Sequence, residues 1–179
     1  MSRAEPHSGA RRADAERNRG LVLEAARAVF AEHGLEAGVA EVAERAGVGV
    51  ATIFRRFPTK DDLLAALLEA RVGEIIELAR NAATFREFMV EAAAVHMTDR
   101  GFCDCVDNEV FARPELQQGR DEVRTLVAKL LRRAQRDGEV RRDVSVDDLP
   151  VILLGVARSA PPDGWQRYLD FALDGLRPQ

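Results

Sequence analysis

Apolar residues recur along this chain at intervals of three and four, and runs of alternating β-branched residues are absent, which predicts helices and argues against a sheet. The clearest case is Val39, Val42, Ala43 and Ala46, at i, i+3, i+4 and i+7, with Glu41, Glu44 and Arg45 on the opposite, wet side. Gly47 follows, where a left-handed backbone ends a helix without side-chain strain, and Val48 is placed to plug the corner. The pattern resumes at Val50 with Ile53 and Phe57 on the buried side, until Pro58 disfavours helical backbone at Phe57. This second helix is about two turns long, too short to stand alone, so its neighbours must hold it and its outward side chains stay free for a partner.

The flanking pattern extends the reading. A helix is predicted from Asp14 to His33, with Leu21, Leu23, Ala25, Ala28, Val29 and Phe30 on its apolar surface and Gly34 as its stop. Thr59 caps a long helix from Lys60 to Asn81, with Asp61 and Asp62 in its first turn and Leu63, Leu64, Leu67, Leu68, Val72, Ile75, Ile76 and Ala79 along its stripe. That helix spans roughly 30 Å, enough to leave one unit and enter another. Further helices are read at Thr84 to Asp99, Phe102 to Ala112, Leu116 to Asp137, Val146 to Ala160 and Asp163 to Leu176, divided at Gly101, Pro114, Gly138 and Pro161-Pro162. The fold class is all-α, with about nine helices. Residues 1–13, without periodicity, form a basic tail expected to be disordered; 14–59 form a helix-turn-helix unit; 60–179 form a helical regulatory and dimerisation unit.

Charge sharpens this picture. The net charge of -4 splits into 10 Lys/Arg against 8 Asp/Glu in residues 1–60 and 16 against 22 in the remainder, so the front is positive and the back negative. The outward side of the short helix carries Thr52, Arg55 and Arg56, with Val50 and Ala51 at its tip and Lys60 just beyond it. Guanidinium groups match phosphate oxygens or a guanine edge, and small apolar side chains can approach thymine methyls in a major groove. An isolated Arg-Arg pair on a helix is usually a solvated face; the hinge beside this pair favours DNA. Arg3, Arg11 and Arg12 of the tail either fold onto DNA or belong to a segment with no role, and Arg17 and Arg19 lie within reach of a phosphate backbone. No apolar run of 18 residues and no hydrophobic signal core is present, so a cytoplasmic protein is expected.

The segment GLEAGVAEVAERAGVGVATIFRRFPTKDDLL, about thirty consecutive residues, resembles the DNA-binding region of the TetR family of bacterial transcriptional regulators. The resemblance implies that Gly49, Val50, Ala51, Thr52, Phe54, Arg55, Arg56 and Lys60 face DNA while Ile53 and Phe57 lie in the core. Three departures remove polar phosphate contacts: Gly38 stands where Ser or Thr often caps a helix, Gly49 replaces a usual Ser, and Phe54 replaces a common Tyr. Thr52, Arg55, Arg56 and Lys60 are left to carry the anchoring.

The segment between the two ends is rich in Phe, Met, His and Cys. Most of these residues keep helical spacing and are first of all core. The resemblance implies a small-molecule pocket among the middle helices, with Phe88, Met89, Ala92, His96, Phe102 and Cys105 as candidate lining residues. His96 is either a ligand contact or a surface or hydrogen-bonded core histidine. Cys103 and Cys105 are too close for an ordinary disulfide; with His96 they have the ligand types of a soft-metal or redox site, but free Cys is commonly just buried, and neither a metal nor a cofactor is assigned.

Two wide apolar stripes close the chain: Leu149, Ile152, Leu153, Val156 and Ala157, then Trp165, Tyr168, Leu169, Ala172, Leu173 and Leu176. They either complete the monomer's core or pair with a second copy as a four-helix bundle, and the resemblance favours a homodimer through the last two helices. A two-fold dimer presents two reading helices about 34–36 Å apart, hence a palindromic operator. No Gly-rich phosphate loop, nucleophile elbow or paired His set supports an enzyme. The expected function is a DNA-binding transcriptional regulator, a repressor released from its operator by a small molecule; the alternative is a helical ligand-binding or scaffolding dimer that has lost operator recognition.

Overall fold

A computed structural model of the chain describes residues 8–98 and 109–178. Among the described residues there are eight α-helices and a short 3-10 turn, and no strand: α1 Ser8–His33, α2 Val39–Ala46, α3 Val50–Arg56, α4 Lys60–Asn81, α5 Phe85–Thr98, the turn Glu109–Ala112, α6 Pro114–Arg136, α7 Asp148–Ser159 and α8 Trp165–Gly175. The helix expected from Phe102 lies mostly outside the described residues, and its described end is the 3-10 turn.

Several boundaries differ from the periodic reading by a residue or more, and three have a clear local reason. Helix α1 begins at Ser8 rather than Asp14, because the stretch expected to be an irregular tail is rich in alanine and arginine, both strong helix formers. Helix α6 begins at Pro114 itself, which serves as a first-turn residue whose missing N–H has no helical partner to lose. Helix α8 begins at Trp165 because Gly164 is left-handed, with φ 86°.

The helices close two apolar cores joined by α4. The first gathers Val22, Ala26, Val29 and Phe30 of α1, Val42 and Ala43 of α2, Ile53 and Phe57 around α3, and Leu63, Leu64 and Leu68 of α4, with Val110 and Leu116 reaching in from beyond α5. Leu21, expected on this surface, is 46% exposed; the stripe of α1 runs through Val22, Ala26 and Val29 instead, as a 3.6-residue period requires. The second core holds Ala79 of α4, Phe85, Phe88, Met89 and Ala92 of α5, Val127 and Leu131 of α6, Leu149 and Leu153 of α7, and Trp165, Leu169 and Leu173 of α8. Each large side chain so buried contributes about 1.5–3 kcal/mol.

That second core corrects half of the expected dimer surface. Leu149, Leu153, Trp165, Leu169 and Leu173 are buried within their own chain, since α5 and α6 offer them an apolar bed. Ile152, Val156 and Leu176 are partly buried against the same core. What α7 and α8 leave outward is Tyr168 of the expected set, at 47% exposed, with two residues that set did not include, Val151 at 71% and Phe171 at 58%. Tyr168 and Phe171 meet edge to face, with ring centroids 6.4 Å apart.

Helices α4 and α6 pack closely at one crossing. A Cβ on Gly119 would come within 2.6 Å of Val72 Cγ1, so α6 carries glycine there because the neighbouring helix fills the space.

Candidate functional site

The first core positions a short exposed helix. Helix α2 ends at Gly47, left-handed at φ 66° and ψ 30°; its N–H donates to the Glu44 carbonyl at 3.1 Å, and Val48 N–H donates to Ala43 O at 3.0 Å. Val48 packs partly buried against the core, as the corner residue should. Helix α3 then starts from Gly49, which supplies no side-chain cap, and Ile53 and Phe57 pin its inner face. Two side-chain contacts brace α2 against α1. Arg45 donates to both Glu32 oxygens at 2.5 and 2.8 Å, and His33 Nδ1 lies 2.7 Å from Glu41 Oε2. The Arg45 bonds hold the Glu32 carboxyl below its usual range, and the Gly38 N–H, then His33, do the same for Glu41.

On the outer face of this unit Gly49, Val50, Ala51, Phe54, Arg55 and Arg56 are exposed and Thr52 is half-buried. Phe54, 42% exposed, is a ring on an otherwise small-residue tip. Arg56 Nη2 lies 3.5 Å from Glu16 Oε2 of α1, so a phosphate would compete with a weak surface pair. Lys60 is half-buried: its ammonium donates to the Leu35 carbonyl and lies 5.8 Å from the Phe30 ring centroid, which ties the start of α4 to the α1–α2 loop. The side chains of Arg3, Arg11 and Arg12 lie outside the described ones.

A second feature lies between α4, α5, α6 and α7: a cavity of about 390 Å³. Of the sequence candidates, Phe88, Ala92 and His96 line it. Met89 does not; it is fully buried in the second core on another side of α5. Phe102, Cys103 and Cys105 lie outside the described residues. The periodic reading missed Arg71, Val72 and Ile75 of α4, Phe111 of the 3-10 turn, and Arg120 and Arg124 of α6, all in the wall. Arg71 was findable, because it interrupts the stripe Leu64, Leu67, Leu68, Ile75 at a position where a leucine would otherwise stand.

One bridge ties the two features together. Arg113, at the head of α6, donates to Asp62 Oδ1 at 2.9 Å, and Asp62 caps α4 by accepting from the Thr59 N–H at 3.0 Å. The Arg113 bond, then the Thr59 hydroxyl, hold the Asp62 carboxyl below the usual carboxylate range.

A helix-turn-helix with its short second helix outward, joined by one long helix to a helical bundle with a cavity, defines a class of DNA-binding regulators. Sequence comparison agrees with that class: residues 22–67 match the model of bacterial regulatory proteins of the tetR family, and residues 81–178 match the C-terminal domain of SbtR-like transcriptional regulators. No curated protein matches the chain significantly. A TetR transcription regulatory protein from Mycobacterium vanbaalenii is 37% identical, over 93% of this chain and 99% of that one, with a TM-score of 0.63. A TetR transcriptional regulator from Streptomyces coelicolor is 29% identical over 90% and 99%, also at 0.63. The fold is shared too by the transcriptional regulator FadR of Bacillus subtilis, solved in complex with stearoyl-CoA, at 21% identity over 88% and 98% and a TM-score of 0.56. The chain belongs to the TetR family of bacterial transcriptional regulators.

Proposed function

We propose that the protein is a homodimeric, cytoplasmic repressor that reads a palindromic operator with α3 and releases it when a small molecule fills the cavity among α4 to α7. The observation that carries this reading is the outward face of α3, with Val50, Ala51, Phe54, Arg55 and Arg56 exposed on a helix whose inner face is pinned. The N-terminal tip supplies apolar contact to bases, and the arginines at its end supply anchoring charge. The dimer forms through the outward residues of α7 and α8, Val151, Tyr168 and Phe171, which together make an apolar patch on a helix pair. Ligand binding acts by favouring one orientation of α4, which belongs to both cores, and so changes the separation of the two reading helices.

A second reading, a helical ligand-binding dimer without operator specificity, is favoured by Gly38 and Gly49, which offer no side-chain cap, and by Lys60 being held on Leu35. A gel-shift titration against DNA flanking the gene separates the two. Salt-sensitive binding to a discrete palindrome, lost on combined Arg55→Ala and Arg56→Ala, is expected; equal affinity for random DNA would sink the repressor reading.

A further inference from the structure

We propose that the cavity selects an organic acid, an apolar body with a carboxylate that Arg71 receives; this rests on the ligand-cavity reading above. Arg71 is 2% exposed and is the one buried charged residue among the described residues. A guanidinium withdrawn from water is strongly disfavoured unless ionic partners meet it; Glu74 meets Arg71 here, which sets a paired, buried cation in the wall of a largely apolar cavity. Packing alone would be served as well by leucine, which the rest of this α4 stripe uses.

The wall around Arg71 is built for hydrocarbon, with Val72, Ile75, Phe88, Ala92, Val127 and Leu153. Its other charged groups, like Arg71, are engaged with protein partners. Arg124 grips both oxygens of Asp147, Arg120 donates to the Phe111 carbonyl and to Gln117, and Asp121 accepts from Gln117 at 2.9 Å. Among the described lining residues three arginines face two aspartates, so the wall is net positive. A neutral ligand offers the guanidinium no charge-assisted bond to rival the one from Glu74, and an amine would meet a like charge. A carboxylate offers two oxygens to the planar fork of guanidinium donors, the geometry arginine recognises best.

The position of Arg71 also gives an acid a route to the reading head. Its Nη1 donates to Glu74 Oε2 at 2.7 Å, and the other oxygen of the same carboxylate accepts from Arg27 Nη2 of α1 at 2.6 Å. Glu74 is thus shared between the cavity wall and the first helix of the DNA-binding unit. A ligand carboxylate on Arg71 competes with Glu74 for the same guanidinium, and loosening that bond changes how Glu74 holds Arg27. Acid binding and head position are then linked through three named side chains.

The test uses the full chain and three ten-carbon probes, decanoate, decanol and decylamine, titrated calorimetrically at neutral pH below their aggregation limits. Decanoate is expected to bind at least tenfold more tightly than decanol, with decylamine weaker still. Arg71→Met removes the discrimination between acid and alcohol, and Arg71→Lys, which keeps the charge and serves if Arg71→Met does not fold, retains part of it. Glu74→Gln, which weakens the competitor, raises decanoate affinity, a sign opposite to that of simple structural damage. Equal affinity for decanoate and decanol, or an unchanged preference in Arg71→Met, overturns the acid while leaving a ligand cavity in place. Binding of none of the three probes overturns the acid and the cavity reading together.

Discussion

Lys60 and Arg71 are cations eleven residues apart on α4, and neither stands where periodicity alone puts it. Lys60, at the first position of its helix, is expected on DNA from the sequence; its long stem lets the ammonium fold back onto the Leu35 carbonyl, a contact between residues 25 apart that no local pattern encodes. Lys60→Met is therefore expected to cost about 0.5–1.5 kcal/mol in denaturant unfolding. In the same variant the slope of log affinity for DNA against log salt should change by less than one unit; a larger change would restore Lys60 as a phosphate contact. By contrast the outer face of α3 is legible from sequence except at the half-buried Thr52, since a two-turn helix with two pinned inner side chains has only one face left. Asp62 gives a second prediction at this scale. Its carboxyl is lowered by Arg113 and Thr59, so it favours the folded state above the ordinary carboxylate pKa, and that contribution is lost as pH falls through the lowered value. In acid titrations of stability, Asp62→Asn should be less stable than the parent at pH 7, with the gap constant down to about pH 5 and narrowing below about pH 4.

At the scale of elements, helices with internal stripes announced themselves, and their ends were misread where a cap departs from the usual residue. Pro114 reads as a divider because proline breaks helices, yet at the first turn it begins one. Gly119 and Gly73 show why sequence cannot rank glycines within helices: both look like weak points, but only the first has a neighbour in the space of its missing side chain. Gly73→Ala should stabilise by up to about 1 kcal/mol through helix propensity, as read from the thermal midpoint. Gly119→Ala should instead destabilise by about 1–3 kcal/mol, as overpacking against the branched Val72 outweighs propensity, and a second change Val72→Ala should recover part of the loss. If both glycine variants were stabilised alike, the close approach of α4 and α6 would not be constraining.

Across the whole molecule, the apolar side chains of α7 and α8 divide between an inward and an outward set that composition cannot separate. An apolar side chain pointing at α5 and one pointing away from it have the same chemistry, and only the crossing angles of the bundle sort them. The outward set yields a direct expectation: Phe171→Glu places a charge in the proposed interface while leaving the buried Leu169 and Leu173 untouched. Light scattering should then give a monomer of unchanged melting behaviour, and operator affinity should fall by at least a hundredfold as the paired reading heads are lost; a persistent dimer would move the interface elsewhere. The seating of Val110 and Leu116 in the first core bears on modularity. A hybrid regulator spliced at residue 59, with this reading unit grafted onto another bundle, would lose not only the leucines of α4 but two plugs supplied from fifty residues downstream. Such grafts should succeed only when the recipient brings its own apolar pair to that spot, so the interchangeable part of this protein is a surface, not a stretch of chain.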